Sequence, residues 1–320
     1  MSAFKKGVLI AASVLLAVGL LLSASALLLI GFDFEKMNTE IFQTNTYEIT
    51  EDFQNIDISG SESDIRFVAS ENGECKIICK ESENIFCNIF VDNGTLTVKR
   101  KDVRESFLRI GIWEEKLEIT VYLPKNRYET VNLRTESGDI MVPKGFYFDQ
   151  FSAETTSGDI FAQAVADRTA SLKSVSGSVM FAPFVNTTTS DSVKIETTSG
   201  AISVRTVRTK TLTLDTTGGD TELHSVSCDT LNVESVSGDI EFEKLEAYEK
   251  MSVRTTSGDV EGSLRSAKHI VTKTVSGDID VPYSDANAPV CEIQTTSGDI
   301  EITLNISYIQ AMQNGEIDWE

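Results

Sequence analysis

The run Ser-Gly-Asp-Ile returns at a nearly constant interval through most of this chain. Its fullest copies are Thr155-Thr156-Ser157-Gly158-Asp159-Ile160, Thr255-Thr256-Ser257-Gly258-Asp259-Val260 and Thr295-Thr296-Ser297-Gly298-Asp299-Ile300. Nine copies align on Gly138, Gly158, Gly177, Gly200, Gly219, Gly238, Gly258, Gly277 and Gly298, spaced about 20 residues apart. A period in this range marks a solenoid or an array. A unit this short cannot bury its own apolar face, so each copy must stack on its neighbours.

The residues around each glycine say how. Seven and five positions before it the side chains are almost all apolar, from Val131 and Leu133 to Cys291 and Ile293. Two positions after it they are apolar again, from Ile140 to Ile300, with Thr221 as the departure. Alternation on both sides means two short strands meeting at a corner. Val165, Phe184, Val207, Val226 and Leu245, seven after their glycines, predict a third inward face. The expected class is all-β: a single-stranded β-helix (β-solenoid) of about nine 20-residue rungs. No stretch beyond the N-terminal segment sustains a 3.6-residue period.

That segment is different in kind. Lys5 and Lys6 precede an uncharged apolar run from Gly7 to Phe32. Roughly 25 helical residues reach about 37 Å, enough to cross a ~30 Å hydrocarbon core with tilt. The paired lysines place the N-terminus in the cytoplasm and the rest of the chain outside. Ala24-Ser25-Ala26 looks like a signal-peptide cleavage site, but Leu27 to Ile30 carry the apolar run past it. A single-pass, uncleaved anchor in the cell membrane is expected. The boundaries follow: 1–32 anchor, 33–46 linker, 47–125 a β-rich lead-in region, 126–305 the repeat solenoid, and 306–320 a C-terminal tail. In the lead-in region Asp92-Asn93-Gly94 is a hairpin-turn signal. Ser59-Gly60 followed by Asp64-Ile65 reads as a degenerate copy of the repeat.

The formal net charge is -21. Contacts to nucleic-acid backbone need Lys and Arg to release counterions, so that partner is disfavoured, as is an anionic lipid surface. Five cysteines leave at least one without an intramolecular partner. Cys75 and Cys79 lie about 13 Å apart along one strand and cannot bridge. Cys79 and Cys87 flank a hairpin tip at 81–84 and could oppose each other as a disulfide. Cys291 holds an inward position and reads as a small buried hydrophobe.

Five columns bear on chemistry. Three before each glycine stands Ser or Thr in every copy, including Thr155, Thr197, Thr255 and Thr295. Their parity turns these hydroxyls inward, where an unpaired one would cost roughly 1–3 kcal/mol, so a hydrogen-bonded ladder is expected. A nucleophile would need an adjacent base. The two histidines, His224 and His269, share no repeat position and have no evident carboxylate partner in sequence; both read as surface residues. The glycines need either positive φ or freedom from a Cβ that would meet the next rung. The residue after the glycine is Asp139, Asp159, Asp220, Asp239, Asp259, Asp278 or Asp299 in seven copies. Such a row fits carboxylates bonded to local backbone N–H groups. It also fits a row of Ca²⁺ sites, with Asp239, Asp259, Asp278 and Asp299 as the candidates. Calcium-binding solenoids carry G-G-x-G-x-D with several ligands per site, whereas here each rung has one Asp, so no metal or cofactor is expected. Outward columns carry alternating charges (Arg134, Glu154, Lys173, Glu196) and a stripe of β-branched residues running from Thr156 and Val175 to Val275 and Thr296. That stripe is either a binding face for a glycan or protein, or ordinary strand propensity.

The repeated T-T-S-G-D-I corners resemble the bacterial putative-adhesin family, a domain of unknown function built as an SGD-rich β-solenoid. Ile56-Asp57-Ile58, Asp64-Ile65, the turn before Leu96 and the strand ending in Leu123-Pro124 also look like that family. The resemblance covers about 47–304. It implies a cell-envelope location, with membrane-anchored members linked to envelope-stress gene clusters, and it offers no catalytic or ligand-binding residues to carry over. The expected function is therefore a non-enzymatic, extracytoplasmic binding or structural module, held by its helix in the membrane and facing an envelope glycan or protein. Two alternatives stand beside it: a polysaccharide-processing enzyme on a parallel β-helix, with 183–192 as the place for an irregular site, and a calcium-binding surface repeat protein. Oligomeric state is not readable.

Overall fold

A computed structural model describes residues 3–29, 41–103, 117–185 and 190–305. The expected tail at 306–320, most of the expected linker and part of the 183–192 interval lie outside them.

Among the described residues one helix runs Ala3–Leu29, with no acidic residue in its first turn and no basic one in its last. Its Lys5–Ser25 stretch has a mean hydropathy of 2.5 and is long and apolar enough to cross a membrane. The remaining described elements are strands, the first of which, Gln43–Ile49, begins in the segment expected as linker and runs into the β-rich region.

The strands form two sheets in a solenoid-like stack, with the sequence repeat as its unit. One level shows the pattern. Strand Arg208–Asp215 lies in one sheet (sheet B), the corner around Gly219 turns the chain, and Thr221–His224 lies in the other (sheet A). Each strand pairs in parallel with its counterpart one level on: Leu212 with Leu231, Leu214 with Val233, Thr221 with Ile240. Period-two alternation sends the first two pairs inward, and all four of these side chains are buried. A second corner returns the chain to sheet B through non-glycine residues at positive φ: Thr206 at 56°, Ser225 at 55° and Lys244 at 56°.

The expected third face is absent among the described residues, since every named strand belongs to one of the two sheets. Val165, Val207, Val226 and Leu245 are buried, but they sit just past the second corner, at the approach to or start of the next strand. Phe184, grouped with them by spacing, is 36 % exposed and meets the edge of the Tyr147 ring.

Levels do not stack in chain order at either end. In sheet B, Asn55–Ser59 pairs with Arg127–Arg134 on one side and Thr95–Asp102 on the other. In sheet A, Ser63–Ala69 lies between Ile140–Val142 and Leu117–Leu123. The degenerate copy thus occupies an inner level, with the later strands outside it. At the far end Val290–Gln294 and Ile300–Leu304 insert between the Gly258 level and the Gly277 level. The spatial order is Gly258, Gly298, Gly277, where simple stacking along the chain would give Gly258, Gly277, Gly298.

One buried core runs without a break from Ile56 to Ile302. Burying each Val, Leu, Ile or Phe contributes roughly 1.5–3 kcal/mol, so the interior column is the main source of stability. Three antiparallel strands close the N-terminal end. Cys75–Glu81 pairs with Leu117–Leu123, Gln43–Ile49 pairs in turn with Cys75–Glu81, and Ile85–Asp92 pairs with Thr95–Asp102. Asn93 and Gly94, at φ 48° and 72°, make the tight turn signalled by Asp92-Asn93-Gly94.

Candidate functional site

The repeated corner is the feature most often presented on this molecule. Its glycines do not have positive φ; the demand is for space. A Cβ on Gly158 would overlap the Gly138 carbonyl, one on Gly177 that of Gly158, and one on Gly200 that of Gly177. The same collision recurs at Gly219, Gly238 and Gly258 along the stack. Where the levels leave chain order the rule still follows space: Gly298 meets Gly258, and Gly277 meets Gly298. Gly138 meets Ser63, which fills the glycine slot of the degenerate level.

The Ser/Thr column fills the gap beside each glycine. Thr155 Oγ1 donates to the Gly138 carbonyl at 3.0 Å and accepts from the Gly158 N–H at 3.2 Å. Thr197 bonds Gly177 O and Gly200 N in the same way. Thr255 reaches Gly238 O at 3.2 Å and Thr295 reaches Gly258 O at 3.0 Å. These four side chains are buried, and each hydroxyl clamps one level to the level beneath it.

The aspartates form a second ladder outside the corner. Asp239 N donates to Asp220 Oδ1, Asp259 N to Asp239 Oδ1, Asp299 N to Asp259 Oδ1 and Asp278 N to Asp299 Oδ1, at 2.7–3.0 Å. The carboxylates of Asp220, Asp239, Asp259 and Asp299 therefore each receive a backbone N–H from the adjacent level, which offsets repulsion along the row. In the four calcium candidates this leaves one oxygen of Asp239, Asp259 and Asp299 committed to the fold. Where Ala201 interrupts the column, Asp220 N has no such carboxylate below it.

Outside the corner, Arg134 approaches Glu154 (3.6 Å), Lys173 approaches Glu196 (4.0 Å) and Arg254 approaches Glu234 (3.9 Å). These exposed pairs are worth about 0.2–1 kcal/mol each. Next to them the Thr/Val stripe is open to solvent along the stack: Thr156, Thr198, Thr217 and Thr256 are exposed, and Val236 and Val275 are 50 % and 74 % exposed. Toward the C-terminal end the stripe dips into a groove of about 300 Å³ lined by Arg254, Thr256, Lys273, Val275, Gln294 and Thr296.

Two groupings escaped sequence reasoning. His224, which lacks an evident partner in sequence, gains one through stacking: its Nδ1 lies 2.8 Å from Glu243 Oε2, one level on. Lys244 sits 3.0 Å from the same carboxylate and, with His224, holds Glu243 below the usual carboxylate range. Glu222, Glu241 and Arg205 complete an open, charged groove there. His269 is half-buried, with Nδ1 3.4 Å from Ser284 Oγ. At the C-terminal turn a wholly buried Lys268 bonds Glu246, the Ala247 carbonyl (2.7 Å) and Ser266 Oγ (2.8 Å). Parity could not find it, because Lys268 precedes its strand and lies in a connection.

The five cysteines are all buried free thiols. Burial alone pushes Cys75 up to about 12; it is the leading cause for Cys228 and Cys291, which also reach about 12. Cys291 sits in the core as its column position implies. Cys79 and Cys87 do face each other, but not across a hairpin: Cys75–Glu81 belongs to sheet A and Ile85–Asp92 to sheet B. Their thiols are hydrogen-bonded, which with burial drives Cys79 far above its ordinary value. Glu81 lies with them. Its Oε1 accepts from Cys87 N (2.6 Å) and its Oε2 from Tyr47 OH (2.6 Å) and Asn45 Nδ2 (2.5 Å). Burial and this carboxylate raise the Tyr47 phenol to about 12.

Among solved structures the chain is similar to a putative adhesin from Parabacteroides merdae, at 14% identity and a TM-score of 0.48, covering 82% of this chain and 96% of that one. A putative lipid binding protein from Parabacteroides distasonis is similar at 16% identity and a TM-score of 0.47, covering 82% and 97%. A putative adhesin from Bacteroides fragilis is similar at 14% identity and a TM-score of 0.41, covering 82% and 97%. No curated protein matches. The family model for Toastrack DUF4097 matches twice, at residues 53–185 and 184–316, end to end across the unbroken core. On that match, which takes in nearly all of the chain after the helix, this protein belongs to the Toastrack DUF4097 family, whose function is unknown.

Proposed function

We propose that this chain is a non-enzymatic binding module of the cell envelope, anchored by its N-terminal helix with the solenoid on the extracytoplasmic side. The observation that carries the binding role is the exposed Thr/Val stripe. Hydroxyl and methyl groups of Thr and Val repeat at the ~4.8 Å spacing of stacked strands, on a backbone whose corner N–H groups are already bonded, such as Ser157 to Glu136 O and Ser257 to Val236 O. A rigid, flat, periodic surface suits an extended ligand with its own repeat, such as an envelope polysaccharide, and the groove at Arg254, Lys273 and Gln294 supplies polar groups to orient it. The orientation rests on Lys5 and Lys6 before the apolar helix.

A hydrolytic role is disfavoured by the chemistry of the groove at Glu222, Glu241 and Glu243. A glycosidase needs one carboxyl kept protonated near neutral pH beside an ionised one. Glu243 is instead held ionised by Lys244 and His224. The full chain in detergent, passed over immobilised cell-wall and glycan fractions, tests the reading. Retention that falls when Thr256→Glu and Val275→Glu are introduced supports it, and no retention on any fraction removes the binding role. Turnover of those polysaccharides would remove the non-enzymatic one. An alkaline phosphatase fused after Glu320 folds only where its disulfides form, outside the cytoplasm, so an inactive fusion would reverse the orientation.

A further inference from the structure

We propose that Cys79, Glu81 and Cys87 form a metal site of the Zn²⁺ class that clamps the N-terminal end of the solenoid. Three buried ligand atoms, two thiol sulfurs and a carboxylate oxygen, lie within 4.8 Å of one another. Tetrahedral Zn²⁺ with Zn–S bonds of about 2.3 Å places its sulfurs roughly 3.7 Å apart, a separation that the 4.8 Å span of the set encloses. Soft thiolates with one carboxylate select Zn²⁺ over Ca²⁺ or Mg²⁺.

Two further observations point the same way. The carboxylate is already oriented by three donors, Tyr47 OH, Asn45 Nδ2 and Cys87 N. Oε1 accepts only one of them, which leaves it a lone pair for a cation. This is the supporting shell that metal ligands require. The second is Arg100. It stands directly opposite Cys87 in the antiparallel pair, so both side chains share the inward face. It is 7 % exposed, and its Nε and Nη1 have no hydrogen-bond partner among the described residues. A buried guanidinium left this way is costly. Two thiolates and one carboxylate carry three negative charges, and Zn²⁺ with Arg100 carries three positive ones. Binding therefore gives a neutral cluster and gives Arg100 anionic sulfurs to face. The Lewis acid would join a strand of sheet A to a strand of sheet B.

Co²⁺ titration of the untagged, reduced full chain in detergent under nitrogen tests the site, because Co²⁺ bound by thiolate gives an intense near-ultraviolet charge-transfer band. The expected result is a band that saturates at one equivalent and is bleached by Zn²⁺. Cys79→Ser and Cys87→Ser should lose it, Glu81→Gln should weaken binding by at least about ten-fold, and Cys228→Ser should keep it. The wild-type titration decides even if a variant fails to fold. No band in the reduced wild type overturns the proposal, as does a band that survives the double serine variant. A chain isolated two hydrogens lighter, with the Cys79 and Cys87 peptides linked, and taking up no Co²⁺ after reduction, would make the pair a disulfide and overturn the metal site too. Loss of glycan retention would leave this result untouched, so the two readings fail separately.

Discussion

The two ends of the stack meet the same problem with opposite outcomes. A parallel solenoid leaves an apolar face and two unpaired strand edges at each terminus. At the N-terminal end the outermost parallel level, Thr95–Asp102 with Leu117–Leu123, is covered by antiparallel strands. Its inward residues Leu96, Val98, Ile119, Val121 and Leu123 are wholly buried. At the C-terminal end the outermost level holds His269–Lys273 and Ile279–Asp280, and among the described residues no strand pairs with its outer edge. Ile279 occupies the column in which Ile140, Ile202 and Ile300 are buried, yet it is 45 % exposed. Val271, Val275 and Tyr283 are exposed beside it. Among the described residues, a change from parallel to antiparallel pairing covers the N-terminal end, and no such change follows at the other. The inserted level of Val290–Gln294 and Ile300–Leu304 does not supply it; it only moves the open edge one level outward.

Glycine substitution should show the largest difference between a covered level and an open one. In Gly200→Ala the new methyl overlaps the Gly177 carbonyl, with levels fixed on both sides. Overpacking against backbone should cost about 3 kcal/mol, the upper end of the usual range, read as a lost or sharply lowered melting transition. Gly277→Ala meets the Gly298 carbonyl in the same manner, but its level has a neighbour on one side only and can shift outward. Its loss should be less than half as large. Equal losses would mean that the open end is held as rigidly as the middle.

Core truncation comes next. Ile202→Ala removes a fully buried side chain from a filled interior and should cost about 2–5 kcal/mol. Ile279→Ala acts on a side chain nearly half in water and should cost under about 1 kcal/mol. Urea denaturation of the full chain in detergent compares the two, with similar slopes expected. A loss at Ile279 as large as that at Ile202 would show that another surface covers this end in solution.

The hydroxyl ladder should give a smaller effect with the same polarity. Thr197→Val keeps shape but leaves the Gly177 carbonyl and the Gly200 N–H without that partner in a buried corner, at roughly 1–3 kcal/mol. Thr274→Val removes a bond to the Gly298 carbonyl from a half-buried position, where water can replace it. A loss there matching that of Thr197 would argue against solvent access at the open end.

Much of this contrast lies in the sequence column by column, and little of it lies in the columns' order. Parity around each glycine is enough to send Leu212, Leu214 and Ile240 inward and Thr256 outward, because a strand has only two faces. Parity cannot say which level a strand joins. Val290–Gln294 carries the same apolar alternation as every other copy, so it fits beside Met251–Val253 as well as at the end, and chain order suggests the wrong slot. The third face failed for a related reason: Val207 and Val226 are inward, but positive φ at Thr206 and Ser225 turns the chain before a third strand can form. The Cys79–Glu81–Cys87 cluster was half legible. Cys79 and Glu81 share the inward parity of Cys75 and Ile77, which marks Glu81 as a buried carboxylate. Arg100 joins them only through the antiparallel register with Cys87, which is a property of the fold.

The smallest expected effect concerns the aspartate row, and it bears on whether the ladder runs through both halves of the stack without a ligand. Asp239, Asp259 and Asp299 each spend Oδ1 on a backbone N–H of the next level, so the row already has donors to offset its charge. A Ca²⁺ site needs six to eight oxygens, and each level offers one carboxylate. Melting the full chain with millimolar Ca²⁺ and then with a chelator should leave the midpoint unchanged. A site saturated at 100 times its Kd would add about 2.7 kcal/mol, far above the resolution of the measurement. If such a shift appeared and vanished in Asp259→Asn, at the junction between the Gly258 level and the inserted Gly298 level, the cation would be bracing the open end. The chain would then cap its two ends with two different ions, a soft one at the cysteines and a hard one at the aspartates, in place of a strand cap at one end alone.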